Sequence, residues 1–320
     1  MTTYSVAILG ATGLVGQRLQ ELLWNHPLFT VEAIAGSPGN VGLMFEELEW
    51  RLDSPKPNYD ILVCSMSDIP DVDIAFSALP NNVAEIVEPS LVARGIHVFS
   101  NASVFRRVAG IPLVIPEINP EAMSAYDGHA CATNCTVVPV ATSIYGLKPL
   151  GIKSLTIFTR QALSGAGWKL LFDEKALSGD VNPFIPGEED KLVAELKHLL
   201  GIDVPILATC NRVAEKDGHM VTCGVELDKE TTLEEVVELM KIPTLGLPSS
   251  PENVNVIIDS TPEREKHLWS GNGMSTTIGN IRVEKNIVRF DALSHNTIRG
   301  AAGGVILLAE FAIQQAYITK

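Results

Sequence analysis

Cysteine is scarce in this sequence, and its few copies do not pair by spacing. Cys64, Cys131, Cys135, Cys210 and Cys223 are an odd number of thiols in 320 residues, without the regular intervals of a disulfide framework. No secretory leader opens the sequence, so a reducing, cytoplasmic setting is expected. A second C-x-x-C or H-x-x-x-H pair is missing, which excludes the usual structural zinc site, and no metal centre is expected. There is no run of Lys or Arg, and the formal net charge is −14. That balance argues against nucleic acid as a partner, while a small anionic substrate could still meet a local basic pocket. Nor is any apolar run long enough to cross a bilayer. The nearest, IRGAAGGVILLAEFAI, is short and carries Glu310, so it reads as a buried helix and no membrane partner is expected.

Apolar residues, by contrast, are plentiful at 46%, enough for a substantial core in two lobes. The N-terminal stretch reads as strand, glycine turn and helix: YSVAILG, ATG, then LVGQRLQELLWNH. FTVEAIAG, DIAFSALP, HVFSNA and PLVIPE follow as short β-rich runs, with VAEIVEPSLVARG as a helix between them. This alternation predicts a Rossmann-type, doubly wound parallel sheet. Past about residue 130 the texture changes to longer alternating strands (KSLTIFTRQALSG, ILATCNRV, HMVTCGVEL, STTIGNIRVEKNIVRFDALS) with two helices between them. That pattern predicts a second, α+β domain with a mixed or antiparallel sheet. Residues 296–320 read as one closing helix, so 1–130 with 297–320 are expected to form one domain and 131–296 the other. No linker separates the two, so an extensive shared interface is expected.

Gly10, Gly13 and Gly16 form G-x-x-G-x-x-G between strand and helix. Such glycines permit a tight turn and let a diphosphate approach the helix N-terminus; a plain packing turn is the alternative. After the second strand Ser37 offers a hydroxyl to a 2′-phosphate, which tilts the cofactor toward NADP, with NAD possible.

CATNCTVVPV holds two thiols four residues apart, a spacing that fits neither a thioredoxin-type couple nor zinc. Cys131 reads as a packing residue at a strand end. Cys135, placed in the first turn of the helix that TVVPVATSIYG suggests, is either a nucleophile whose thiolate the helix dipole favours or a small core residue. Other candidates are Arg212 and His219 in CNRVAEKDGHM and Arg106 in SNASVFRR, while Glu188 and Lys191, three apart at the start of one helix, read by themselves as an ordinary solvated acidic first turn. An arginine can clamp a phosphate or carboxylate, and a histidine near it can transfer protons.

GATGLVG, FSALP, SNASVFR, IPEIN, NCT, QALSGAG, PGEEDK, CNRVAEKDGH, GNGMSTTIG and HNTIRGAAG follow one another in the order found in aspartate-semialdehyde dehydrogenases. The sequence resembles the branch typified by archaeal and fungal enzymes, from residue 5 to about 315. The resemblance implies NADPH-dependent reductive dephosphorylation of aspartyl phosphate to aspartate semialdehyde, in the route to lysine, threonine and methionine. It implies Cys135 as nucleophile, His219 as general acid/base and Gln161 as the group orienting the acyl intermediate. Arg212 would hold the substrate carboxylate, Glu188 its ammonium, and Arg106 and Lys191 the phosphoryl group. Gly10, Thr12, Gly13, Leu14, Val15, Ser37, Ser164, Gly165 and Asn296 would contact the cofactor. The resemblance further implies that 1–130 with 297–320 bind the dinucleotide, that 131–296 carry catalysis, substrate binding and dimerisation, and that the chain forms a homodimer or homotetramer. Rival expectations are a malonyl-CoA reductase, whose CoA thioester has no use for Glu188 and Lys191, a more distant N-acetyl-γ-glutamyl-phosphate reductase, and a non-catalytic dinucleotide sensor, which has no use for Cys135 and His219.

Overall fold

The computed structural model describes residues 3–320. The first part alternates strand and helix: β1 (Tyr4–Leu9), α1 (Leu14–Leu23), β2 (Phe29–Ala35), β3 (Val63–Cys64), β4 (Ile74–Ser77), α2 (Asn81–Ala93), β5 (His97–Ser100) and β6 (His129–Cys131). All six strands are parallel, in the order β3-β2-β1-β4-β5-β6. Strand order reverses beside β1, and such a switch point opens a crevice for ligands at the carboxyl ends of the strands. β1 and β4 are buried along nearly their whole length, as a parallel sheet covered on both faces requires.

The second part contains α3 (Val137–Ile144), β7 (Ile152–Gln161), α4 (Trp168–Leu171), α5 (Glu174–Leu177), α6 (Glu188–Leu200), β8 (Ile206–Arg212) and β9 (His219–Leu227). It continues with α7 (Leu233–Leu239), β10 (Asn255–Ile257), α8 (Arg264–His267), β11 (Thr276–Glu284) and β12 (Ile287–Ser294). The sheet order is β10-β11-β12-β9-β7-β8, with parallel pairs at both edges and antiparallel pairs inside. α3 packs against β9 and β12 and α6 against β8, so β7 buries Leu155 and Ile157 while Phe158 is exposed. The chain then returns through a π turn, Ile298–Ala302, into α9 (Gly303–Gln314), which is buried among residues of the first sheet such as Val6, Ile8 and Phe76. One apolar cluster joins Leu9 and Val98 of the first sheet to Val137, Leu155, Leu192 and Phe290 of the second part. The two halves therefore share a core.

Three expectations are corrected. PLVIPE is not a strand: Leu113 makes a single bridge to Cys131, because Pro112 and Pro116 have no N–H to extend a ladder. The closing segment is not one helix from 296 to 320. It opens as the π turn at Ile298 and ends at Gln314, followed by Ala316 at φ +59°. Cys135 precedes α3 rather than lying in its first turn, since the helix begins at Val137 with Thr136 at its N-cap. The structure also explains the carboxylate in the apolar run. Glu310 is fully buried but accepts hydrogen bonds from His26 Nε2 at 2.8 Å and Ser249 Oγ at 2.6 Å, which removes most of the cost of placing it there.

Candidate active site

The glycine turn follows β1 at the switch point. The N–H groups of Gly10 and Ala11 both donate to Ala35 O at 3.0 Å, which seats the turn beside the end of β2. The three glycines then separate in role. A Cβ on Gly16 would lie 2.1 Å from Gly10 O, and one on Gly10 2.8 Å from Ala78 O, whereas one on Gly13 would meet only Gly10 O at 3.3 Å. Gly10 and Gly16 are closed by packing, and Gly13 is the open position. It caps α1, whose first turn has no side-chain cap and no acidic residue. The N–H groups of Leu14 and Val15 have no acceptor among the described residues, so this end of the helix fits an anionic diphosphate. Gly36 lies against Thr12, and the exposed Ser37 next to it accepts a bond from Asn40 Nδ2 at 3.0 Å. Thr12 O accepts a bond from the Trp168 indole N–H at 3.1 Å, which ties the second half of the chain to the glycine turn.

Sheet register gathers the polar side chains at one end of the second sheet. Gln161 and Arg212 are neighbours at the ends of β7 and β8, and His219, at the start of β9, faces Ser294 at the end of β12. The main chain of Ala162 binds two of them. Its carbonyl accepts from Arg212 Nη1 at 2.6 Å and its N–H donates to His219 Nδ1 at 3.2 Å. Because Nδ1 accepts, the neutral ring carries its hydrogen on Nε2, and Nε2 is buried with no partner. Burial, then the charges of Arg212 and Arg264 and the ring of His295, hold the imidazole well below its ordinary pKa. It is a neutral donor at pH 7. The turn containing Ser164 and Gly165 presses on this pair: a Cβ on Gly165 would lie 2.8 Å from Arg212 Nη1 and 3.2 Å from His219 Nε2. Asn296 fixes the turn by donating to Ser164 Oγ and accepting from the Gly218 N–H, both at 2.8 Å.

Cys135 is half-buried between β6 and α3, while Cys131, as expected, is packed away in the core. Glu188 organises the loop around the thiol. Its Oε1 accepts from Asn134 Nδ2 at 2.9 Å, Thr136 Oγ1 at 3.2 Å and Gln161 Nε2 at 3.3 Å. Its Oε2 has no bonded partner among the described residues. The expected thiolate at a helix terminus is not found: the Cys135 thiol is pushed up to about 11, first by burial and then by Glu188, against a smaller pull from Arg106 and Arg212. Near neutral pH the unliganded protein holds a thiol. The π turn closes over it, and a Cβ on Gly300 would lie 2.6 Å from Cys135 Cβ. Next to Gly300, Arg299 pairs with Glu117 at 2.9 Å, both buried, which anchors the turn.

Of the other expected residues, Arg106 is ion-paired with Glu195 at 3.1 Å, and Lys191 is half-buried without an ion pair among the described residues. Sequence reasoning passed over Asn134, Trp168, Glu195, His295 and Gly300. Glu195 had a signal, lying seven residues after Glu188 on the same helical face. Gly300 had none beyond its place in a glycine-rich run.

A glycine turn at the switch point of a parallel sheet, facing a second lobe with a thiol, a neutral imidazole and an arginine at its end, defines a nucleotide-dependent dehydrogenase of the semialdehyde type. Residues 5–126 match the family model for the semialdehyde dehydrogenase NAD binding domain, and residues 144–299 the model for the semialdehyde dehydrogenase dimerisation domain. The chain is 38% identical to the aspartate-semialdehyde dehydrogenase of Archaeoglobus fulgidus, over 98% of this chain and 99% of that protein. It is 30% identical to the NADP malonyl CoA reductase of Metallosphaera sedula, over 99% of each. The crystal structure of the Candida albicans aspartate semialdehyde dehydrogenase with NADP superposes with a TM-score of 0.85 at 29% identity, over 98% of this chain and 99% of that one. The chain belongs to the aspartate-semialdehyde dehydrogenase family and is an oxidoreductase. No helix among the described residues is long and apolar enough to cross a membrane.

Proposed function

We propose that this protein reduces L-4-aspartyl phosphate to L-aspartate 4-semialdehyde with release of phosphate, using NADPH. The observation that carries the proposal is the convergence of Cys135, Gln161, Glu188, Arg212 and His219 at one end of the second sheet, opposite the glycine turn. Arg212 meets the substrate carboxylate, and the unpartnered Oε2 of Glu188 meets its ammonium. Arg106 and Lys191 meet the phosphoryl group. Cys135 Sγ attacks the acyl carbon, the bond to the phosphoryl oxygen breaks, and the thiol proton departs with hydrogen phosphate, leaving a thioester. That route suits a thiol held up to about 11, because the leaving group itself takes the proton. NADPH, when bound, supplies the hydride. Gly10, Thr12, Gly13, Leu14 and Val15 hold its diphosphate, Ser37 its 2′-phosphate, and Ser164, Gly165 and Asn296 line the opposite wall. His219 donates a hydrogen bond from Nε2 to the oxygen that turns negative at the thioester carbon, and Gln161 orients the acyl group. That oxygen re-forms the carbonyl as the carbon–sulfur bond breaks and the aldehyde leaves. The departing thiolate, the base of a thiol held up to about 11, takes a proton from water to restore the resting thiol.

Residues 1–130 with 297–320 are assigned to the cofactor domain and 131–296 to the catalytic and dimerisation domain. The open face of the second sheet, where Phe158 and Leu207 are exposed, suits a second copy of the chain, in a homodimer or a tetramer of dimers. Five free cysteines suit the reducing cytoplasm. Malonyl-CoA reduction is the rival chemistry, and it leaves Glu188 Oε2 and Lys191 without a task.

The test is the reverse reaction: aspartate semialdehyde, phosphate and NADP or NAD, followed by the absorbance of the reduced nicotinamide. A phosphate-dependent signal is expected, stronger with NADP, and Cys135→Ser removes it. Absence of that signal with either nucleotide, or reduction of malonyl-CoA in preference to aspartyl phosphate, overturns the assignment.

A further inference from the structure

Glu195 is a buried carboxylate beside this site to which the proposed chemistry gives no task. It is 3% exposed and lies on the face of α6 that carries Glu188. Its two oxygens face two different parts of the site. Oε2 accepts the Asn134 N–H at 2.7 Å, and Oε1 accepts Arg106 Nη1 at 3.1 Å. Arg106 in turn donates from Nη2 to Asn101 O at 2.8 Å, and its Nε is buried without a partner. One carboxylate thus bridges the guanidinium assigned to phosphate and the main-chain N–H of Asn134, the residue before the nucleophile.

A guanidinium buried without a counter-ion is strongly unfavourable, so after phosphate leaves Arg106 needs a negative group. A permanent carboxylate partner supplies one, and it also competes with phosphate for the same donors. The exchange need not leave Glu195 dry and unpaired. Glu195 and Arg106 both line a cavity of about 510 Å³, with Arg107 and His198 also in its wall, from which water can reach a displaced carboxylate.

We propose that Glu195 is a positioning residue that acts as the resting counter-ion of Arg106, holding the guanidinium and the Asn134 amide in one frame and setting how readily phosphate leaves. This rests on the assignment of Arg106 to the phosphoryl group. Glu195→Gln removes the charge and keeps the volume; its amide oxygen retains the Asn134 N–H while its NH2 offers Arg106 no acceptor, so a folded protein is expected, with circular dichroism as the check.

In the oxidative direction, with NADP saturating, the KM for phosphate falls by about 3- to 10-fold, the scale of one charge-assisted hydrogen bond shared between two acceptors. The KM for semialdehyde stays within about twofold, since no contact to Arg212 or Glu188 Oε2 changes. Line broadening of inorganic phosphate in ³¹P NMR, without turnover, follows the same order of affinity. An unchanged or raised phosphate KM in a folded Glu195→Gln overturns the inference, as does a parallel rise of both Michaelis constants, which marks a merely structural role. Arg106→Lys in the same assay separates the two claims. If it leaves phosphate KM unchanged, the phosphoryl assignment falls and the inference with it. If it raises phosphate KM while Glu195→Gln fails to lower it, only the inference falls.

Discussion

Gly300→Ala is the sharpest perturbation of the site that adds no charge and removes no hydrogen bond. In an ordinary helix this change stabilises, because glycine is worse than alanine by about 0.5–1 kcal/mol. Here the new methyl carbon would stand 2.6 Å from Cys135 Cβ and 2.9 Å from its Cα. Carbon atoms rest at about 3.5–4.0 Å, so the π turn or the cysteine loop has to retreat by about 1 Å. Neither is free to do so: Arg299 is pinned by Glu117 at 2.9 Å, and the loop by the bonds of Asn134 and Thr136 to Glu188. Overpacking of this kind costs about 1–3 kcal/mol, which exceeds the propensity gain, so the net change is destabilising. The effect on catalysis is larger, since a displacement of about 1 Å at a reacting atom lowers rate by about 100-fold. Steady-state kinetics of the phosphate-dependent oxidation, with a thermal melt of the same preparation, measure both. A variant with kcat/KM within about threefold of the parent and an unchanged Tm would refute the claim that Gly300 sets the position of Cys135.

Three other outcomes are expected. Alkylation of Cys135 in the free enzyme by iodoacetamide should accelerate about tenfold per pH unit as pH rises toward the thiol value of about 11, since the thiolate is the reactive form; Glu188→Gln should speed it at pH 8, and a pH-independent rate would contradict a protonated resting thiol. His295 is held down at about 3, by burial first and then by Arg18. A depressed histidine contributes stability that is present above its unfolded value of about 6.5 and is lost as pH falls toward the folded value. The urea midpoint should therefore drop between pH 7 and pH 5, and His295→Asn should flatten that drop. Trp168→Phe removes the indole N–H bond to Thr12 O; a net hydrogen bond of about 1 kcal/mol corresponds to a rise of about fivefold in the KM for NADP, and no change would mean that this contact does not shape the cofactor site.

Much of the fold was legible because its signals are local. The glycine turn, the apolar strands of the first sheet and the alternating strands of the second each follow from periodicity within a few residues. What escaped depended on distant partners. β3 is two residues long and exists because β2 offers it a ladder, while the prolines of PLVIPE withhold donors from one. At the site, residue types raised Cys135, His219 and Arg212, and the family resemblance added Glu188, which by itself reads as part of an acidic first turn; their states did not follow from type. A cysteine just ahead of a helix suggests a thiolate; burial and the Glu188 carboxylate reverse the sign. A histidine suggests a base; the Ala162 N–H selects the tautomer that donates. Glu195 reads as one acidic residue among several on an amphipathic helix until Arg106 and the Asn134 amide are seen on its two oxygens.

The lid over Cys135 has a further consequence, in time rather than in space. Translation produces the cysteine loop well before it produces Gly300, and the π turn that narrows access to the sulfur arrives only with the segment that leads into α9. During synthesis the thiol is therefore made early and covered late.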